Sequence, residues 1–404
     1  MNKFRLAVLR EGKIPPERRT PLTPRQAVEI MQQYSHVEVV CQPSPHRCFT
    51  DDEYRSAGVE VVEDVSNAGI LIGIKEVPVP ALLEGKTYIF FSHTLKKQPH
   101  NQALLKTILE RNITLIDYEM LRTLKGERLI GFGRHAGIVG TYNCFWTYGI
   151  RSQRYRLRRA YECFDLDDLL TELKKVNLPP LKIVLTGTGR VGKGAVEILD
   201  AVGIRRVEVD EFMQNRFDTP VYVQLTSADY YVHKDSRPFD REEFHQHPER
   251  YRSNFLRFAQ QAELLIAGAY WNPAAPKLFA REDMEHPEFA IKVIADISCD
   301  INGSIPATVR ATDIENPVFD YDPRTHQAVA PFSDGRNITV MAVDNLPCEL
   351  PRSASEDFGD TLMRKIVPAL FGDDRDRIIE RATIVKKGEL TPEFRYLEEW
   401  AKGA

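Results

Sequence analysis

Two short apolar runs in this chain end in residues that can move protons. Lys75 and Glu76 close the run 70–74, and His93 follows the run 88–91. If both runs are strands, a lysine and a histidine at corresponding carboxyl ends are candidates for an acid/base pair. A surface lysine beside a satisfied loop histidine fits the same spacing. Arg18 and Arg19 stand in PERRTPLTP, ahead of a helix that Thr23 can cap and Pro24 can begin. An arginine there can clamp a carboxylate bidentately or remain a solvated charge. Arg128, Phe132 and the glycines of GFGRHAG form a further loop, where Gly131, Gly133 and Gly137 suit either a hinge or a plain turn.

The segment LKIVLTGTGRVGKGAVEILDAVGIRRVEVD, residues 181–210, reads as strand, glycine-rich turn, helix and second strand ending in an acid. That order is a dinucleotide-binding fingerprint. Gly187 permits the tight turn, Gly189 admits the pyrophosphate, and Gly192 lets the helix pack closely on its strand. Arg190 and Val191 lie between the glycines, where free amides at the helix start would face the phosphates. Asp210 follows Gly189 by about twenty residues, the spacing of a carboxylate that accepts from the ribose hydroxyls. Such an acid repels a 2′-phosphate, so the expected cofactor is NAD rather than NADP.

These residues need a scaffold that brings strand ends together. The first 135 residues alternate apolar runs (4–9, 37–40, 70–74, 88–91) with helical patterns near 24–34 and 104–111, the periodicity of an α/β domain with a mostly parallel sheet. From Ala136 a long stretch reads as a helix crossing from the first domain to the second. Its basic end, Arg151 to Arg159, suits a solvated face better than an anion site. The second domain continues with strands at 207–209, 264–267 and 293–297, and the charged stretch 212–252 reads as a surface excursion. The closing segments, which end in an amphipathic helix near 353–371, show no sheet of their own and are expected to return to the first domain. The expected fold is α/β, two Rossmann-like parallel-sheet domains with an interdomain cleft. A substrate domain of 1–136 would be completed by 320–404, and the NAD domain with its helix would span 137–319.

Composition sets outer limits. With 404 residues and 43% hydrophobic content, the chain can bury two or three cores. A formal net charge of -4 gives no reason to expect nucleic acid or an anionic membrane as partner. No window reaches the length of a membrane span. The six cysteines form no CxxC pair, so neither a metal site nor a disulfide framework is expected. The partner expected is a small amino-acid substrate, and the chain itself a monomer or small homo-oligomer.

Eight segments together carry a resemblance: RRTPLTP, GIKEVP, FFSHTLKKQ, LIDYEML, ERLIGFGRHAG, GTGRVGKG, VIADISCDINGSIP and VDNLPCELPRSASEDF. They span nearly the whole chain, which resembles the NAD-dependent, lysine-forming saccharopine dehydrogenases. That branch shares a superfamily with alanine dehydrogenase and the transhydrogenase NAD-binding subunit. The resemblance implies reversible oxidative cleavage of saccharopine to lysine and 2-oxoglutarate. It makes Lys75 and His93 the acid/base pair, with Glu76 and Glu119 as acids that tune it. It also implies Arg19 and Arg128 as substrate-carboxylate contacts, Phe132 beside the substrate, and Asp296, or else Asp300, near the nicotinamide ribose. Arg134 and His135 depart from the aromatic or small residues of the fungal enzymes, and Val191 replaces the cysteine of their glycine turn. The final residues EEWAKGA carry no peroxisomal address, so a cytoplasmic location is expected. An alanine-type or other opine-like dehydrogenase fits Lys75, His93 and Arg19 as well, although a smaller substrate would leave Arg128 without a carboxylate. A binding protein that kept the fold and lost catalysis would need neither Lys75 nor His93.

Overall fold

The computed structural model describes residues 3–403, which divide into two compact α/β units. One runs to Phe132 and resumes at Pro351; the other spans Gly133–Leu350.

The sheet of the first unit has the order Glu389–Leu390, Thr383–Lys386, Thr114–Asp117, Thr87–Phe90, Ile70–Ile72, Phe4–Val8, Val37–Cys41 and Glu60–Val61. Its last six strands are mutually parallel, and the two C-terminal strands add an antiparallel edge. The strands are apolar in nearly every position because helices cover both faces. On one face Val8, Ile72, Ile89 and Ile116 pack with Phe358 and Leu362 of the helix Pro351–Lys365. On the other, Leu71, Tyr88 and Phe90 pack with Leu105, Ile108 and Leu397. The helix Pro24–Gln33 starts at a capping box in which Thr23 and Gln26 exchange bonds, with Pro24 as its first residue.

The second sheet has the order Gln327–Val329, Val318–Asp322, Ile338–Met341, Val293–Asp296, Leu264–Ala267, Lys182–Thr186, Val221–Leu225 and Arg205–Arg206. Its six parallel strands again end in an antiparallel edge. Three expectations need correction here. The chain leaves this unit at 350 rather than 319, because Ile338–Met341 extends the sheet beside Val293–Asp296 and Val318–Asp322 pairs on its outer side. The stretch 212–252 is not simply a surface excursion: it supplies Val221–Leu225, buried beside the fingerprint strand. The helix Gly133–Ser152 belongs wholly to this unit, and its glycines are packing devices rather than a hinge. A Cβ on Gly137 would lie 1.9 Å from the Val191 carbonyl oxygen, and one on Gly194 the same 1.9 Å from that of Arg134. The helices Gly133–Ser152 and Arg190–Val202 therefore meet backbone to backbone. Gly137→Ala is expected to cost about 1–3 kcal/mol by forcing them apart, read as a lowered melting temperature; an unchanged melting curve would contradict this packing.

The helix ends at Ser152, so most of the basic stretch 151–159 lies beyond it, and that stretch is not solvated throughout. Arg151 donates to Thr339 Oγ1 at 2.7 Å and Arg158 to Asp168 at 2.7 Å, while Arg159 pairs with Glu349 at 3.3 Å. All six cysteines are free thiols. Among the described residues no helix is long and apolar enough to cross a membrane.

Candidate functional site

The first unit gathers its ionisable residues at the carboxyl ends of its parallel strands. Lys75 follows Ile70–Ile72 and His93 follows Thr87–Phe90, neighbouring strands that pair Ile72 with Ile89, so the two residues leave the same sheet edge. Glu76 joins them: its Oε1 lies 2.6 Å from His93 Nδ1, and its Oε2 3.3 Å from Lys13 Nζ. Burial opposes its ionisation, but the hydrogen bond and charge of His93 hold Glu76 at about 2. His93 has φ of 51°, a left-handed conformation that costs a non-glycine residue about 1 kcal/mol or more and marks a functional turn in many sites.

Two further carboxylates fix the backbone that carries the pair. The buried Asp117 accepts from the Ser92 amide at 2.9 Å and from the Glu119 amide at 2.7 Å, tying the turn of His93 to that of Glu119. Glu11 accepts from the amides of Ile74 at 2.5 Å and Lys75 at 3.0 Å. Desolvation pushes its carboxyl up to about 7, against the pull of those two N–H groups. Neither residue figures in the sequence expectations, although Glu11 ends a short loop after the strand Phe4–Val8 as Lys75 does after its own. The same strand-end logic would have found it.

Lys75 itself is held below the ordinary lysine range, first by burial and then by the charge of Arg19 and, more weakly, Lys13, with Glu17 and Glu76 opposing. Arg19 is only 3% exposed and is not an open clamp: its Nε and Nη2 reach Glu17 at 2.8 and 2.6 Å. Burial alone would raise Glu17, but Arg19 brings it to about 2. The Arg19 guanidinium also lies 4.1 Å over the Phe132 ring, which stacks on Phe358 at 4.6 Å. Arg128 sits 5.2 Å over Phe91 and 3.4 Å from Glu119. An aromatic wall of Phe91, Phe132 and Phe358 thus carries both arginines, and Phe358 comes from a helix more than two hundred residues away in sequence.

In the second unit the glycine turn has the geometry of its fingerprint. Gly187 has φ of 92°, and a Cβ there would press within 2.9 Å of Ala269. On Gly192 a Cβ would strike the Gly187 carbonyl at 2.1 Å, whereas on Gly189 it would meet no protein atom. Gly189 is therefore demanded by nothing inside the chain, which suits a position approached by a phosphate. Arg190 and Val191 form the first turn of the helix Arg190–Val202, as expected. Asp296 ends the strand Val293–Asp296, but its oxygens already accept from Ser298 Oγ at 2.8 Å and Thr308 Oγ1 at 2.7 Å; Asp300 is exposed. Asp210 departs from its expected place. The strand before it is only Arg205–Arg206, and Asp210 falls in the short helix Val209–Gln214.

Residues 7–139 match the family model for the alanine dehydrogenase/PNT N-terminal domain. The mitochondrial alpha-aminoadipic semialdehyde synthase of Rattus norvegicus is 31% identical, over 98% of this chain and 47% of that protein. The chain thus spans about half the length of that relative. Saccharopine dehydrogenase (NAD(+), L-lysine-forming) of Emericella nidulans is 25% identical over 94% of each chain. An L-alanine dehydrogenase structure superposes with a TM-score of 0.64 at 15% identity, covering 98% of this chain and 100% of the other, a likeness of fold.

Proposed function

We propose that the chain, whose residues 7–139 match the alanine dehydrogenase/PNT N-terminal domain, is an NAD-dependent oxidoreductase acting on the CH–NH group of saccharopine. The products are L-lysine and 2-oxoglutarate, and the reaction is reversible. The observation that carries this reading is the Lys75, Glu76 and His93 constellation at the carboxyl ends of two adjacent parallel strands.

Gly187, Gly189, Arg190, Val191 and Gly192 would hold the dinucleotide, whose nicotinamide supplies the hydride acceptor when bound. The remaining chemistry falls to protons. Lys75, held below the ordinary lysine range by burial and by the charge of Arg19, can take the proton of the substrate's secondary amine. Glu76 stays ionised and accepts from His93 Nδ1, which leaves Nε2 as the lone-pair nitrogen. From there His93 can activate water for attack on the imine carbon, and can return the proton as the carbinolamine collapses. Arg128, backed by the aromatic wall, supplies positive charge for a substrate carboxylate, while Arg19, paired with Glu17, acts through its charge on Lys75.

Glu76→Gln tests the arrangement, because the amide keeps the shape and loses the charge that orients His93. Saccharopine-dependent NADH formation is expected to drop about 10- to 100-fold in kcat with little change in KM. In the wild type the rate should rise with pH through a group below the ordinary lysine range. Full activity in Glu76→Gln, with the pH profile unmoved, would count against this reading.

A further inference from the structure

We propose that the first unit binds a free α-amino acid with an apolar side chain in a cavity of its own, separate from the residues around Lys75. The cavity measures about 350 Å³, at the low end of the range of small-ligand sites. Leu9, Val65, Leu71, Val77 and Leu83 form its walls. All five belong to or pack against the core on the face of the sheet opposite the one that holds Ile72, Phe91 and Phe358. The aromatic wall and the cavity therefore lie on different faces, and Lys75, His93 and Arg19 do not line the cavity.

Strand order explains why space remains there. The sheet runs outward one way from Phe4–Val8 and the other way from Ile70–Ile72, so the connections that leave these two neighbouring strands diverge. After Phe4–Val8 the chain goes to the helix Pro24–Gln33 on the Phe358 face; after Ile70–Ile72 it turns to the opposite face, where Leu82 is buried. Residues 9–12 and 77–83 border the gap that is left. The two segments touch at its edge, where a Cβ on Gly12 would lie 2.4 Å from Pro78 Cγ.

The mouth carries both charges that an amino acid needs. Arg10 Nη2 meets Glu63 Oε1 at 2.8 Å, and Asp64 lines the cavity beside them. Gln42 ties the two sides together: its Oε1 accepts from the Arg10 amide at 3.1 Å, and its Nε2 donates to the Glu63 carbonyl at 3.2 Å. The Arg10 and Glu63 side chains are 42% and 67% exposed, so their pair is weakly held and opens at small cost. A carboxylate alone would meet Glu63 and Asp64, and an amine alone would meet Arg10. A zwitterion satisfies both, with its carboxylate on the Arg10 guanidinium, its ammonium on the acids and its side chain against Leu9 and Leu71. Glu11 lines the same cavity and holds the amides of Ile74 and Lys75, which places the ligand beside the loop that carries Lys75.

The experiment is isothermal titration calorimetry of L-leucine into the full chain, with neither dinucleotide nor saccharopine present, so the outcome does not depend on the reaction proposed above. The wild type should bind one leucine per chain with a Kd of about 1 mM or tighter. Glycine, which lacks the apolar side chain, and isocaproate and isoamylamine, which each lack one charge, should bind about tenfold more weakly or worse. Arg10→Gln, at the exposed mouth, should weaken leucine about tenfold. Ala81→Trp, which fills the cavity from its exposed rim, should abolish binding while the melting curve stays cooperative. Arg128→Ala, on the other face, should bind leucine as the wild type does. No leucine binding by the wild type overturns the assignment, and so does binding that is lost in Arg128→Ala but kept in Arg10→Gln and Ala81→Trp. Isocaproate or isoamylamine binding as tightly as leucine would overturn the zwitterion reading of the mouth.

Discussion

Replacing Lys75 with methionine is expected to lower saccharopine turnover by about two to four orders of magnitude, the usual worth of a positioned acid/base group. Methionine matches the apolar stem and removes the amine. The backbone of residue 75 would stay where Glu11 holds it, since that bond is made by the amide and not by the side chain. Affinity for NADH should be nearly unchanged, because the glycine turn lies in the other unit. Single-turnover kinetics with a parallel NADH titration would separate the two effects. Lost NADH binding, with turnover per bound cofactor intact, would contradict the role given to this lysine.

The second large effect concerns stability. Glu349 is fully buried in the second unit; Asn143 Nδ2 donates to it at 2.8 Å, and Arg159 lies 3.3 Å away beneath Trp146 and Tyr161. Glu349→Ala would strand the Arg159 guanidinium, itself part of a residue only 8% exposed, and is expected to cost about 3–5 kcal/mol. Glu349→Gln keeps an acceptor for Asn143 and should cost less. Burial lifts the Glu349 carboxyl from the ordinary carboxylate range to about 7. A folded pKa above the unfolded one means that this group's contribution is complete at low pH and is lost as pH rises through about 7. Denaturant midpoints at about pH 5 and about pH 8 should therefore differ less in Glu349→Gln than in the wild type. Equal slopes would show that Glu349 does not titrate in this window.

The glycine turn and the strand ends were legible in the sequence because both are local: a turn type needs glycine at a fixed offset, and a charged residue after an apolar run marks a strand's end. Lys75, His93 and the capped helix at Pro24 followed from that logic. What escaped was set by pairing between distant segments. Nothing in the sequence near Arg205 says that Val221–Leu225 will insert between it and the fingerprint strand, and this insertion displaces Asp210. The strands Val318–Asp322 and Ile338–Met341 likewise read as a return to the first domain until their hydrogen-bond partners are known. Arg19 looked like a clamp since its partner Glu17, two residues away, could equally have pointed to solvent. Phe358 completes the aromatic wall from far along the chain, a contact no periodicity reveals.

The most direct measurement is initial-rate NADH formation by the purified chain with saccharopine, alanine and a panel of N-carboxyalkyl amino acids, at mildly alkaline pH. Strong turnover of saccharopine, with lysine and 2-oxoglutarate released in equal amounts and Lys75→Met nearly inactive, is the predicted result. NADH binding without turnover of saccharopine, or faster turnover of alanine, would contradict it.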